Sequence, residues 1–228
     1  KSLEEENRIE KLEPIKHVVN VHERCETDIE ILTTEQWFIK YLDLKDEFIK
    51  YGRKIKWYPE HMRVRYENWI NGLKWDWNIS RQRHFGIPIP VWYCKKCSAI
   101  IVADEKQLPV DPLVNKPSRK CKCGSNEFVG EKDVLDTWAT SSLTPDIAME
   151  LFKDKKIYNK LFPMSLRAQA HDIITFWLFN TVVKSYFHHK DVPWYNVMIS
   201  GWALDPKGKK MSKSKGNVIE PREMIEKY

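Results

Sequence analysis

Residues 171–188 read His-Asp-Ile-Ile-Thr-Phe-Trp-Leu-Phe-Asn-Thr-Val-Val-Lys-Ser-Tyr-Phe-His, and this stretch decides the fold class. Its apolar side chains fall on every side of a helix, which predicts a buried helix. Short apolar segments precede and follow it, at residues 164–167 and 197–199, and we predict a buried strand at each. A buried helix between two short strands indicates a parallel α/β sheet, whose ligands bind at the carboxyl ends of the strands.

A strongly basic loop follows the second of these strands. Residues 205–217 read Asp-Pro-Lys-Gly-Lys-Lys-Met-Ser-Lys-Ser-Lys-Gly-Asn, with five lysines inside nine residues. These charges repel one another, and a bound polyphosphate would supply several charge-assisted hydrogen bonds. A Lys-rich loop is more often a solvated surface loop, so composition alone does not establish a site.

The order of residues in the loop is more informative than its charge. Lys210-Met211-Ser212-Lys213-Ser214 is identical to the KMSKS signature of class I aminoacyl-tRNA synthetases, and the chain resembles that family over nearly its whole length. The other segments that carry the resemblance are Trp75–Arg83 with Gly86–Pro90, Val134–Ser142, Ala170–Trp177 and Thr34–Ile39. The last three look most like the valyl members.

The resemblance implies a fold and a reaction. The expected fold is the second half of a Rossmann-like nucleotide-binding sheet. The expected reaction is ATP-dependent activation of valine to valyl-adenylate, followed by transfer to tRNA, with editing of mischarged threonine by a domain mostly outside these residues. The HIGH signature of the family is absent, so we expect a fragment that is inactive in isolation. Asn78 and Ala170 depart from the Cys and Gly that the family usually carries.

The resemblance also assigns roles residue by residue. Lys210 and Lys213 are expected to be catalytic and to neutralise the phosphates of ATP, which Mg²⁺ accompanies. The expected ATP-binding residues are Asp172, Lys210, Met211, Ser212, Lys213 and Ser214. The expected wall of the amino-acid pocket is Trp138, Ile173 and Trp177. Without the resemblance, Asp172 would be a helix N-cap and the two tryptophans plain core.

Four of the five cysteines lie in two close pairs, Cys94-x2-Cys97 and Cys121-x-Cys123. Four thiolates at these spacings can close a tetrahedral, structural Zn²⁺ site, although the second pair is one residue shorter than usual. The alternative is four reduced surface thiols. His17, His22 and Cys25 form a weaker cluster, which we interpret as exposed residues rather than a metal site.

Alternatives remain at this stage. The chain could come from an isoleucyl or leucyl enzyme, from a zinc-containing RNA-binding module without catalysis, or be an inert structural fragment. Arg81 and Arg83 could meet the acceptor end of tRNA or pair with acidic residues.

Composition sets the wider expectations. The net charge of +6 mildly favours an anionic partner, and the longest apolar runs are too short to span a membrane. The cysteine usage favours a reducing, cytoplasmic compartment, and we expect a monomer. The expected organisation is the end of an editing domain at 1–32, a return segment at 33–93, a zinc-knuckle insert at 94–130 and the second half of the catalytic fold at 131–228. One helix is predicted from Thr34 to Gly52 and another from Pro59 to Gly72.

Overall fold

The computed structural model describes residues 3–22, 25–152 and 154–228. The chain divides into two compact units, Lys1–Glu35 and Gln36–Tyr228. In the first unit, Val21 and Asp28 form an antiparallel bridge, and the amide of Ile29 donates to the Asn20 carbonyl at 3.0 Å. The described side chains of this unit are almost all exposed, so it has little apolar core of its own.

The second unit holds all the named elements. Its strands are β1 (Phe38–Ile39), β2 (Lys56–Tyr58), β3 (Trp77–Asn78), β4 (Ser80–Arg81), β5 (Val91–Cys94), β6 (Ile100–Val102), β7 (Phe128–Gly130), β8 (Val134–Leu135), β9 (Met164–Ala170) and β10 (Trp194–Ser200). Its α-helices are α1 (Lys45–Lys54), α2 (Met62–Gly72), α3 (Thr137–Ser141), α4 (Thr144–Glu150), α5 (Lys155–Leu161), α6 (Phe179–His189) and α7 (Pro221–Lys227). No helix in the described ranges is long and apolar enough to cross a membrane.

The predicted parallel sheet is confirmed. Strands β2, β10 and β9 lie side by side in that order, and β10 is parallel to both neighbours. Val197 and Ile199 of β10 are buried, but Met198 between them is 51% exposed. The expectation of a wholly buried strand was therefore wrong at Met198, because alternate side chains of a strand point to opposite faces of the sheet.

The decisive stretch is helical throughout, although it is not one regular α-helix. A 3₁₀ turn at His171–Ile173 leads into a π-helical turn at Ile174–Leu178 and then into α6. Val182 and Val183 are fully buried. Phe176 and Phe187 are 46% and 40% exposed, so the prediction of a helix buried on all sides was wrong at these two positions.

The first predicted helix begins later than expected. The segment before it forms β1, which pairs antiparallel with β3, and α1 starts only at Lys45. The cause is tertiary: Asp76 accepts hydrogen bonds from the amides of Tyr41 and Leu42 at 2.9 and 3.0 Å, and the Trp37 amide donates to Ser80 Oγ at 2.8 Å. The second predicted helix is confirmed as α2, starting three residues after Pro59.

Aromatic side chains fill the core between the helices and the sheet. Phe48 and Phe179 meet edge to face with centroids 5.7 Å apart, and Tyr66 donates from its hydroxyl to the Phe48 carbonyl at 2.8 Å. Gly52 makes this packing possible, because a Cβ there would lie 2.2 Å from the Tyr66 ring. Helices α1, α2 and α6 are thereby held firmly against the strands that carry the site.

A separate small sheet and its connecting segments carry the two cysteine pairs, with Cys94 at the end of β5. Strands β6, β5 and β7 form it in that order, all antiparallel. Trp92 fills its centre and donates from Nε1 to the Asn115 carbonyl at 2.8 Å. At the base of this sheet, Glu131 accepts hydrogen bonds from Trp37 Nε1 at 2.7 Å and from the Tyr93 hydroxyl. The small sheet is thus tied to the segment that carries β1.

Candidate functional site

The site lies where β9 and β10 end. Ala170 and Ser200, the last residues of the two strands, are partners in the ladder, so the segments that follow them emerge side by side. His171 Nδ1 lies 3.3 Å from the Ser200 carbonyl, and its ring is 4.7 Å from that of Trp202. This is the carboxyl edge at which parallel sheets bind ligands.

The basic loop is folded around Asp205. Its carboxylate accepts hydrogen bonds from the amides of Lys207 and Lys209 at 2.9 and 2.8 Å, and from Asn217 Nδ2 at 2.9 Å. The Asn217 bond, with that from the Lys209 amide, holds the pKa of Asp205 below its usual range. Gly208 makes the turn at φ 73°, in the left-handed region that favours glycine. The loop therefore has a defined conformation despite its charge.

Two of the predicted ATP-binding residues meet directly. Lys210 Nζ donates to Asp172 Oδ2 at 2.9 Å, and the same ammonium lies 4.7 Å from the centroid of the Trp202 ring. The Lys210 hydrogen bond lowers the pKa of the Asp172 carboxyl. Asp172 lies inside the 3₁₀ turn and Ala170 holds its N-cap position, so the expectation of Asp172 as an N-cap was wrong. The contact joins the segment after β9 to the loop after β10.

The remaining signature residues shape the loop. Met211 Sδ accepts from the Ile219 amide at 3.3 Å, and Ser212 Oγ lies 2.8 Å from Ser214 Oγ. Lys213 begins a 3₁₀ turn that ends at Lys215, and its side chain is exposed. The structure therefore brings Lys210 onto Asp172 but leaves Lys213 facing solvent.

The predicted pocket residues lie on three elements. Trp138 is on α3, and Trp177 is on the π-helical turn, where its Nε1 donates to the Ser141 carbonyl at the end of α3 at 3.0 Å. Ile173 closes the 3₁₀ turn that also carries Asp172. Phe176, which no sequence motif assigned to the pocket, stacks on Trp138 with centroids 6.0 Å apart and planes 19° apart.

Two polar residues behind Trp177 were also missed. The Arg167 guanidinium lies 3.1 Å from the Trp177 ring centroid, and burial lowers the pKa of Arg167 to about 10. Gln169 is 8% exposed, and its amide atoms have no hydrogen-bond partner among the described residues. Side chains of a strand alternate between the two faces of a sheet, and Arg167 and Gln169 pair with the buried Val197 and Ile199. The alternation of β9 could therefore have indicated that both side chains lie on the buried face.

Arg81 has an acidic partner. Its Nη2 lies 3.4 Å from Oδ1 of Asp136, a residue that is only 5% exposed and directly precedes α3. The Arg83 side chain is exposed. Of the two readings of these arginines, the structure gives Arg81 the acidic contact.

The four cysteines of the small sheet converge. Their sulfur atoms all lie within 4.8 Å of one another, with Cys94 and Cys123 3.6 Å apart and Cys97 and Cys121 3.5 Å apart. A tetrahedral Zn²⁺ with Zn–S bonds of about 2.3 Å needs sulfur atoms about 3.8 Å apart. The cluster therefore has the size and the ligand chemistry that zinc requires.

The cluster of His17, His22 and Cys25 is exposed to solvent. His22 Nδ1 lies 3.2 Å from Cys25 Sγ, and both residues are exposed. His17 Nδ1 lies 3.2 Å from the Val18 carbonyl.

Comparison with known proteins places the chain in a family. The family described as tRNA synthetases class I (I, L, M and V) matches residues 5–228. Valine–tRNA ligases of Thermoplasma acidophilum and Picrophilus torridus are 59% and 52% identical over 99% and 100% of this chain. This chain spans only 28% and 29% of their lengths.

Solved structures agree with the fold. The ternary complex of Agrobacterium radiobacter LeuRS with tRNA and LeuAMS matches with a TM-score of 0.55 and 25% identity, over 68% of this chain and 23% of that one. Mycobacterium tuberculosis methionyl-tRNA synthetase with methionyl-adenylate matches with a TM-score of 0.59 and 16% identity, over 92% of this chain and 34% of that one. The chain belongs to the class I tRNA synthetase family of the isoleucine, leucine, methionine and valine enzymes.

Proposed function

We propose that this chain is the second half of the catalytic domain of a valine–tRNA ligase, preceded by the end of its editing domain. Relatives named valine–tRNA ligase are 59% and 52% identical over essentially all of it, which favours valine over isoleucine and leucine and favours catalysis over a zinc RNA-binding module. The observation that carries the proposal is the contact between Lys210 and Asp172 at the carboxyl edge of the parallel sheet.

The first step would join valine to AMP. A carboxylate oxygen of valine attacks the α-phosphorus of ATP, the bond from that phosphorus to the bridging oxygen breaks, and pyrophosphate leaves. Lys210 and Lys213 would stabilise the charge that grows on the leaving group, and Asp172 would accept hydrogen bonds from the ribose hydroxyls. Mg²⁺ bound to ATP would add positive charge at the phosphates. Catalysis of this kind rests on positioning and charge stabilisation.

The second step would charge the tRNA. A hydroxyl of the terminal ribose attacks the valyl carbonyl, and AMP leaves with the electrons of the mixed anhydride bond. The net charge of +6 is compatible with such a partner.

Trp138, Ile173 and Trp177 would form the amino-acid pocket. Two indoles joined through α3 and a branched aliphatic side chain offer a small apolar space suited to a branched substrate. Such a pocket gains only about 1–3 kcal/mol per methylene, a limit that synthetases of this kind themselves illustrate. Threonine, which has nearly the shape of valine, would therefore enter as well and require editing.

Residues 94–130 would form a structural zinc knuckle. All four ligand positions are cysteines, which leaves no open position for catalysis, and bound metal would stabilise an insert with little apolar core. In the same proposal, residues 1–32 end the editing domain, residues 33–93 return the chain to the catalytic domain, and residues 131–228 complete the nucleotide-binding fold.

The test is amino-acid-dependent exchange of pyrophosphate into ATP by the full-length protein that contains this chain. We expect exchange with valine, weak exchange with threonine, and far less with isoleucine or leucine. Preferred exchange with isoleucine or leucine, or tRNA binding without any exchange, would overturn the proposal.

A further inference from the structure

We propose that Arg81 is a positioning residue for Trp138, acting through the buried carboxylate of Asp136. This inference rests on the proposed pocket and adds a residue that lies outside it.

The two residues are brought together by a short ladder. Arg81 lies on β4, which pairs antiparallel with β8, and Asp136 directly follows β8. The Asp136 amide donates to the Ile79 carbonyl at 2.7 Å, so the backbone at this position is fixed to the residue that directly precedes β4. Among the described residues, Arg81 is the one cation within 4.0 Å of the Asp136 carboxylate.

Asp136 in turn controls the start of α3. Its carbonyl accepts hydrogen bonds from the amides of Ala139 and Thr140 at 2.9 and 3.3 Å, which define the turn that carries Trp138. A buried carboxylate that loses its cation is left with an uncompensated charge, which is strongly destabilising. We therefore expect Asp136 to shift when Arg81 is removed, and the turn that carries Trp138 to shift with it.

The Arg81 guanidinium is itself held in place. Its Nη1 donates to the Ser80 carbonyl at 2.7 Å and to Asn78 Oδ1 at 3.2 Å, which directs Nη2 at Asp136. These bonds use Nη1, and the ion pair with Asp136 uses Nη2, which favours the internal role over the acceptor-end role. A lysine has a single ammonium and cannot reproduce the forked geometry.

The experiment measures valine-dependent pyrophosphate exchange by the full-length protein with Arg81→Met, Asp136→Asn and the double variant. Arg81→Met should raise the KM for valine by up to about a hundred-fold, the scale of a misplaced contact, and leave the KM for ATP unchanged. The double variant removes both charges and should recover part of the loss. Arg53→Met is the matched control, because Arg53 binds Glu67 at 3.0 Å on the surface of α1 and α2, and its valine KM should not change.

Two results would overturn the inference. One is an unchanged valine KM in folded Arg81→Met; the other is a KM for ATP that rises in parallel with that for valine. If Arg81→Met does not fold, the double variant is compared with Asp136→Asn: a smaller rise in the valine KM than in Asp136→Asn alone supports the pairing, and a rise as large contradicts it. Trp138→Ala is measured alongside, because an unchanged valine KM in that variant would defeat the proposed pocket and not the Arg81 link alone.

Discussion

Lys210 Nζ lies 2.9 Å from Asp172 Oδ2, so the signature loop and the turn after β9 are bound to each other. In the proposed function both groups contact ATP, the lysine at the phosphates and the carboxylate at the ribose. The nucleotide would therefore have to replace a contact that the protein already makes. Binding energy from ATP would be used in part to separate the two residues and reposition the loop.

Asp172→Asn is expected to raise the KM for ATP and leave the KM for valine nearly unchanged. The amide cannot hold the Lys210 ammonium as a charge partner, and it presents one acceptor oxygen to the ribose where the carboxylate presents two. Initial rates of pyrophosphate exchange against each substrate measure both constants. Equal increases for ATP and valine would argue against a ribose contact.

The pair also has a pH dependence. Lys210 lowers the pKa of Asp172 in the folded protein, so the carboxylate contributes stability above the unfolded-state value of about 3.9, and this contribution is lost as pH falls through the lower folded value. Asp172→Asn should therefore narrow the stability difference between neutral and acidic pH, measured by urea unfolding between pH 3 and 7. An unchanged difference would mean that solvent screens the pair.

Lys213→Ala should slow adenylate formation by roughly a hundred- to a thousand-fold, the usual effect of removing one transition-state donor. Its side chain is exposed and available to a leaving pyrophosphate. The substitution should lower kcat and kcat/KM together, since the contact is strongest as the bond breaks. Single-turnover formation of the adenylate is the measurement. Lys207→Ala and Lys215→Ala are the controls, and equal small effects at all three positions would indicate only a solvated basic loop.

Trp138→Ala should raise the KM for valine by about ten-fold or more, because apolar contacts worth about 1–3 kcal/mol are lost. Trp138 stacks on Phe176, so Phe176→Ala should produce a smaller change in the same direction. Trp75→Ala is the control, since Trp75 is 71% exposed and packs in no proposed site. Kinetics indistinguishable from wild type in folded Trp138→Ala would remove Trp138 from the pocket.

Purified protein should contain one Zn²⁺ per chain, bound by the four converging cysteines. Removing the metal with a chelator should lower the Tm and expose the four thiols to titration, because the insert depends on the metal for its stability. Cys97→Ser should reduce the zinc content. Cys25→Ser, at an exposed cysteine outside the cluster, should not. A zinc content near zero, with all four thiols reactive in the folded protein, would contradict the site.

The sequence predicted the structure correctly where a local pattern determined it. The parallel arrangement of β9 and β10 follows from one apolar helix between two short strands, and the convergence of the cysteines follows from their spacing. The segment at Thr34 looked helical because its apolar residues are spaced like those of a helix. Asp76 and Ser80, some 40 residues away, accept hydrogen bonds from its amides instead. Such long-range contacts cannot be predicted from the local sequence.

The residues of the site were predicted from sequence more completely than their contacts, because the contacts depend on the tertiary fold. Asp172 and Lys210 were named from their motifs, but their contact depends on the register that places Ala170 beside Ser200. Phe176 looked like core because it lies in an apolar run. It is 46% exposed and lies in the π-helical turn Ile174–Leu178, a rare local geometry that an apolar run does not reveal.

The order β2-β10-β9 leaves one long side of β9 without a strand partner in the described part of the chain. Leu166 on this strand is 50% exposed, so open backbone donors and acceptors stand beside apolar surface. Such an edge is a template for pairing with a second chain. These 228 residues, if produced on their own, are therefore expected to associate through β9 at high concentration, and a covering strand or charged substitutions along that edge would be the first remedy in preparing them for crystallisation.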